Sequence, residues 1–264
     1  MKKKLSPFEK ELAKLLKDEE SFKKKYTEKN DSLLNRLLAA KVPAGLQNTL
    51  DAAFAKAFGL VFEKGTGIIE RSYNRNKKEM DFKIAEFATQ LSTDSKTLRR
   101  FSKNARSGKT LNTGLSGAAG MGMGFLGIGI PDIAVFTALL LKNIYETALS
   151  FGLEYDSDTE RAFILKLIST AVCYGEEFER ADRELDEIVK TGKFAMPADR
   201  DRLIKEAAGA LSKDLLYMKF LQGIPIVGLV GGAYDAVFMQ RIGTYAELKY
   251  RKRFYHNMKE RTDA

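Results

Sequence analysis

Apolar positions along this chain recur at three- and four-residue intervals, the period of a helix with one buried face. The opening segment shows the pattern: Phe8, Leu12, Leu15, Leu16, Phe22 and Tyr26 form a stripe, flanked by Lys10, Lys14, Lys17 and Lys23 to Lys25. Clean apolar–polar alternation bounded by Asn-Gly or Asp-Gly turns does not occur, so strands are not expected. The spacing predicts helices over 7–29, 31–41, 43–62, 66–76, 77–91 and 94–106. It then predicts helices over 131–151, 158–190 and 198–221, and a last one starting near Gly231 or Gly232. Residues 162–174 are apolar on most faces and predict a central position, whereas 176–190 are strongly charged and predict an exposed one.

Boundary signals agree with these elements. The five prolines, at 7, 43, 131, 197 and 225, all fall where a helix begins or the chain turns, because the missing N–H is harmless in a first turn. Ser6 with Glu9, and Ser157 with Glu160, have the spacing of a capping box. Linkers rich in Ser, Pro or Gly are absent. The expectation is an all-α protein, a single multi-helix bundle with a basic amphipathic N-terminal helix in 1–30 and the main helical body in 31–264.

One run departs from this pattern. Residues 110–131 hold seven glycines and no charge. Glycine disfavours a helix by roughly 1 kcal/mol relative to alanine, so the run needs a compensating partner. Gly117, Gly120, Gly124 and Gly127 can share one helix face and admit a close neighbour, with Met121, Phe125 and Ile128 opposite. Pro131 then opens a second apolar helix, with Asp132 in its first turn where the helix dipole favours a carboxylate. The pair reads as a central glycine-rich helical hairpin. Its first arm is near bilayer-spanning length, and three states are weighed: buried in a soluble bundle, lipid-contacting, or membrane-spanning. A weaker echo, FLQGIPIVGLVGGAY, occupies 220–234.

Charge sharpens the picture. The net charge is +9. Residues 1–29 carry ten lysines against six acids, and 240–264 carry seven basic residues against three acids. Residues 154–214 are acidic, fifteen acids against ten bases. Basic segments favour anionic lipid or nucleic acid, but a recognisable nucleic-acid reading motif is lacking and that partner is not expected. The start of the chain lacks the apolar core of a secretory signal. The single cysteine, Cys173, permits no internal disulfide, and a cytoplasmic location is expected.

Familiar chemistry is not supported. Ser107-Gly108-Lys109-Thr110 resembles the end of a phosphate-binding loop, but the required earlier glycine is Lys103. The single histidine, His256, rules out paired-histidine metal sites and a histidine-based triad elsewhere in the chain. Glu179, Asp182 and Asp186 can share a helix face and bind a cation, but with Arg180 and Arg183 interleaved a solvated charged face is the simpler expectation. Asp132, Lys142, Asn143 and Glu146 lie beside the apolar hairpin, either as a polar point in a hydrophobic pocket or as a structural ion pair. No catalytic residue, metal site or cofactor is assigned.

Several segments together resemble the EcsC family. These are the glycine-rich run into Ile130-Pro131-Asp132, Asn143-Ile-Tyr-Glu146, Ser150-Phe-Gly-Leu-Glu-Tyr-Asp156 and Thr159-Glu-Arg-Ala-Phe163. Gly223-Ile-Pro-Ile-Val-Gly228, Tyr245-Ala-Glu-Leu248 and Arg253-Phe254 complete the set, which spans roughly 35–256. The family takes its name from a protein encoded beside an ABC transporter. The resemblance implies a bacterial, intracellular, membrane-associated role, and brings no reaction or catalytic residue with it.

The leading expectation is therefore a non-enzymatic helical protein that binds lipid or another hydrophobic ligand and sits peripherally on the inner membrane face. Gly120, Met121, Gly124, Phe125, Ile128, Asp132, Asn143 and Glu146 are its candidate ligand residues. Lys23, Lys24, Lys25, Arg251, Lys252 and Arg253 are its candidate membrane-surface residues. Expected partners are an anionic membrane surface or lipid and a membrane transporter. Two alternatives stand beside it: a hydrolase acting on lipid or peptide through Asp132, Glu146 or the 176–187 carboxylates, and a protein–protein adaptor.

Overall fold

The computed structural model describes residues 5–28, 44–71, 73–91, 131–195, 197–221 and 233–263. These form helices and turns, with no strand among the described residues. In chain order they are α1 (Pro7–Thr27), α2 (Ala44–Leu60), a π-helical turn (Val61–Gly65), α3 (Thr66–Arg71) and α4 (Arg75–Leu91). Then come α5 (Pro131–Ser150), α6 (Asp158–Ala171), α7 (Gly175–Thr191), α8 (Arg200–Leu221) and α9 (Ala233–Asp263). The all-α expectation holds. The helices expected over 31–41 and 94–106, the phosphate-loop-like 107–110, the glycine-rich arm and most of its echo lie outside the described residues.

Helix α9 is the axis of the bundle. It packs against α5, α6, α7 and α1, while α2 lies on α8 and α5, and α4 on α5. Tyr245, Tyr250 and Ile242 of α9 are fully buried, and so is Lys249. Helices α5 and α9 approach closely at Gly243, where an added Cβ would lie 3.2 Å from the Asn143 side chain. Within α5, the window Ile133–Ser150 is long and apolar enough by composition to cross a membrane, and 61% of it is buried inside the bundle.

The caps follow local chemistry. Ser6 and Glu9 form the full reciprocal box at the start of α1. At α6 only half of the expected box forms. Ser157 accepts from the Glu160 N–H, but the Glu160 carboxylate turns inward to Tyr250 and Arg253 of α9. The helix expected over 158–190 is two helices, because Gly175 takes a left-handed φ of 57° and turns the chain between α6 and α7.

Helix α5 ends in a Schellman motif. The Leu153 N–H donates to the Ala148 carbonyl at 3.0 Å and the Gly152 N–H to Leu149 at 2.9 Å, which satisfies the last carbonyls of the helix. Gly152 has a φ of 69°, and the Phe82 ring of α4 occupies the place its Cβ would take. Both constraints demand glycine. Gly152→Ala is expected to destabilise the fold by roughly 1–3 kcal/mol, read as a fall in thermal midpoint with the helical signal of the folded state retained. An unchanged midpoint would show that the α4–α5 corner does not hold the bundle.

Candidate functional site

Each of α1, α7 and α9 carries a charge on its apolar stripe. In α1, Glu19 lies among Leu15, Phe22 and Tyr26; in α7, Asp182 lies between Phe178 and Leu185; in α9, Lys249 follows Ile242 and Tyr245. When the stripes pack, these charges are buried together. The Lys249 ammonium meets Glu19 Oε1 at 2.6 Å, Asp182 Oδ1 at 2.7 Å and Asp186 Oδ1 at 2.5 Å. An ammonium has three hydrogens, and here each has its own carboxylate.

Two more lysines complete the cluster. Lys252 reaches Glu19 Oε2 at 3.0 Å and Asp186 Oδ2 at 2.7 Å. Lys23 reaches Asp182 Oδ2 at 2.5 Å. The Tyr245 hydroxyl donates to Asp182 Oδ1 at 2.6 Å. Oxygens of Glu19, Asp182 and Asp186 lie within 4.8 Å of one another, a spacing that suits a metal ion, and the Lys249 ammonium bonds to all three residues. Three carboxylates thus face three ammonium groups.

The electrostatics follow from this balance. Burial alone would push the Lys249 pKa down, but Asp182, Glu19 and Asp186 outweigh it and hold the pKa raised. Burial likewise opposes ionisation of the two aspartates. Against it, the lysines, Lys249 foremost, hold Asp182 below the ordinary value and Asp186 at about 2. Burial and the Asp182 carboxylate keep the Tyr245 hydroxyl protonated. A set of charges this fully engaged clamps three helices together.

Three further polar knots tie the bundle. The Arg241 guanidinium sits between the Tyr26 and Tyr174 rings, 4.1 and 4.2 Å from their centroids, and pairs with Asp214 at 3.1 Å. Glu160 is buried against Arg253 at 2.7 Å and the Tyr250 hydroxyl at 2.9 Å; burial, against these partners, pushes its pKa up. Near the end of α5, the Tyr73 hydroxyl donates to Tyr155 at 2.7 Å, and Tyr155 donates to Glu70 at 2.5 Å, beside Arg75. Burial and the Glu70 bond push the Tyr155 hydroxyl up to about 12.

The residues expected to form sites are distributed differently from the sequence reading. Gly120, Met121, Gly124, Phe125 and Ile128 lie outside the described residues, as does the side chain of Asp132. Asn143 packs against Gly243 at the α5–α9 contact. Glu146 pairs with Lys78 of α4 at 3.0 Å, which makes it a link between helices.

The basic patch expected at 251–253 is corrected by the structure. Arg251 is 1% exposed and pairs with Asp18 at 2.8 Å, while Lys252 and Arg253 are drawn into the pairs above. Lys23 also turns inward, and only Lys24 and Lys25 of that trio are exposed. The expected solvated face of α7 is corrected in the same way. Glu179 is exposed, but Asp182 and Asp186 point into the bundle. His256, one-third exposed, lies 2.9 Å from the Lys190 carbonyl and 3.3 Å from Glu260. Cys173 is half-buried, and its thiol donates to the Ser169 carbonyl.

The model of the EcsC protein family matches residues 8–254 of the chain. The chain belongs to the EcsC family. The EcsC match begins within α1 and ends at Phe254 of α9, so every residue of the ionic cluster falls inside it. No curated protein and no solved structure matches the chain.

The cluster predicts an acid limit. Asp186 has its folded-state pKa lowered from the ordinary 3.8 to about 2, so its stabilising contribution is complete above 3.8 and fades as pH falls through about 2. The contribution is on the order of 2 kcal/mol. Tyr26 and Tyr245 flank the cluster, so near-ultraviolet circular dichroism of tyrosine is expected to hold down to about pH 4 and collapse below it. A signal that persists unchanged to pH 2 contradicts this.

Proposed function

We propose that this EcsC-family chain is a non-enzymatic, peripheral membrane protein that docks on anionic lipid through the outward flank of α1. The carrying observation is the division of charge on that helix. Its inward charges Glu19 and Lys23 are consumed by the cluster. Its outward side exposes Lys10, Lys14, Lys17, Lys24 and Lys25, against Glu9, Glu20 and Glu28. Lys10, Lys14, Lys17 and Lys24 recur at helical spacing, with Ser21 in the one uncharged place, and Glu28 ends the row beside Lys24. A basic helical row of this kind suits a surface of repeated negative charge, and each lysine near an anionic membrane contributes on the order of 1 kcal/mol.

The distribution of acids supports the non-enzymatic part. Glu146, Glu160, Asp182 and Asp186, half-buried or buried, are all held in ion pairs between helices. The glycine-rich arm at 110–130 is uncharged throughout its sequence and is proposed as a second lipid-contacting segment, and a transporter in the same membrane is the proposed protein partner.

Vesicle flotation tests the reading. The purified protein is expected to float with phosphatidylglycerol-containing vesicles at low salt and not with neutral ones, and to lose most of that binding in 0.5 M salt, on the order of tenfold or more. Charge reversal of Lys10, Lys14 and Lys17 to Glu leaves the cluster untouched and is expected to reduce binding at least as much. Equal flotation with neutral vesicles, or no effect of the triple reversal, contradicts docking through α1.

A further inference from the structure

The charges of the three-helix cluster separate into two sets that are each neutral, while Asp18 of α1 adds one further pair across the seam, to Arg251. On α1, Glu19 and Lys23 are one helical turn apart, 3.8 Å from each other. On α7 and α9, Asp182 and Asp186 face Lys249 and Lys252, with contacts of 2.5 to 2.7 Å that do not involve α1. The same holds for the other cations that α1 touches. Arg251 meets Asp18 of α1, and also Glu247 of its own helix at 3.6 Å. Arg241 meets the Tyr26 ring, and also Asp214 and Tyr174.

This division changes the cost of undocking. Breaking a buried ion pair by removing one partner is costly because a charge is stranded. Lifting α1 away as a unit strands none of these, since each cation keeps an anion on its own side. What α1 gives up is its cross-helix pairs through Asp18, Glu19 and Lys23 and the burial of Leu15, Phe22 and Tyr26, and an apolar face of that kind regains its burial at a bilayer interface.

We infer that α1 is a detachable strap. Once its outer lysines rest on anionic lipid, the helix lifts from α7 and α9 and turns Leu15, Phe22 and Tyr26 toward the acyl chains. The groove that it leaves is lined by Tyr174, Phe178, Tyr245 and the balanced Asp182–Lys249–Asp186 set. This inference rests on the membrane reading proposed above and adds its regulation: the surface beneath α1 is uncovered only on the membrane.

The test separates the two. Spin labels are placed at Glu20→Cys and Arg183→Cys, both exposed positions, in a Cys173→Ser background. Double electron–electron resonance is recorded in solution, with phosphatidylcholine vesicles, and with vesicles containing phosphatidylglycerol, each sample also being floated. The expected result is one short distance in the first two cases. With anionic vesicles a population longer by at least a helix diameter, about 10 Å, is expected. Flotation with the short distance unchanged overturns the strap and leaves membrane docking standing. Absence of flotation overturns the docking reading and its link to the strap. Hydrogen exchange without lipid then judges the strap by itself: α1 amides are expected to be at least about tenfold less protected than those of central α9, and equal protection overturns it.

Discussion

The structure depends on one ammonium group placed where water cannot reach it. Lys249 is 0% exposed, and a lone buried charge is among the costliest features a fold can carry. It is tolerated because three carboxylates from two other helices converge on it, and they in turn are balanced by Lys23 and Lys252. The requirement runs in both directions. Without α7 in register Lys249 loses two of its three acceptors, and without α1 the third; without Lys249, three acids crowd together. The cluster therefore acts more on which arrangement forms than on how favourable it is, since a buried ion pair returns little net stability over an apolar contact. The aromatic packing around it, with Phe22 stacked on Tyr245 at 5.2 Å, supplies the hydrophobic part.

The helical class and most helix limits were legible in the chain, because three- and four-residue periodicity, capping serines and prolines are local signals. The role of α9 was not. A helix with seven bases in its last 25 residues reads as a basic surface element, yet it is the axis of the bundle. Composition averages over faces, whereas burial depends on which face each charge occupies. The signal lay in register: Glu19, Asp182 and Lys249 each interrupt an apolar stripe, and a charge in such a place needs an opposite charge from another helix. The complementary totals of the basic ends and the acidic 154–214 segment pointed the same way. The break between α6 and α7 was hidden because Gly175 looks like any helical glycine until its φ is known.

Function divides along the same line as charge. Inward charges organise helices; outward ones remain for a partner. Of the six basic residues expected at a membrane surface, Arg251, Lys252, Arg253 and Lys23 are drawn into pairs within the bundle, and Lys24 and Lys25 of α1 are exposed. The helix that carries the exposed lysines is also the helix that the cluster holds. The family match covers both faces of α1 from residue 8 onward, so the inner clamp and the outer lysine row sit within one EcsC-family unit.

The measurement that bears most directly on this account is a double-mutant cycle between Glu19→Gln and Lys249→Met, followed by urea unfolding. If the buried cluster joins α1 to α9, the two substitutions are coupled, by about 2 kcal/mol or more. Additive effects, with coupling below about 0.5 kcal/mol, would mean that apolar packing alone seats α1 and that the cluster is not the constraint on which the bundle is built.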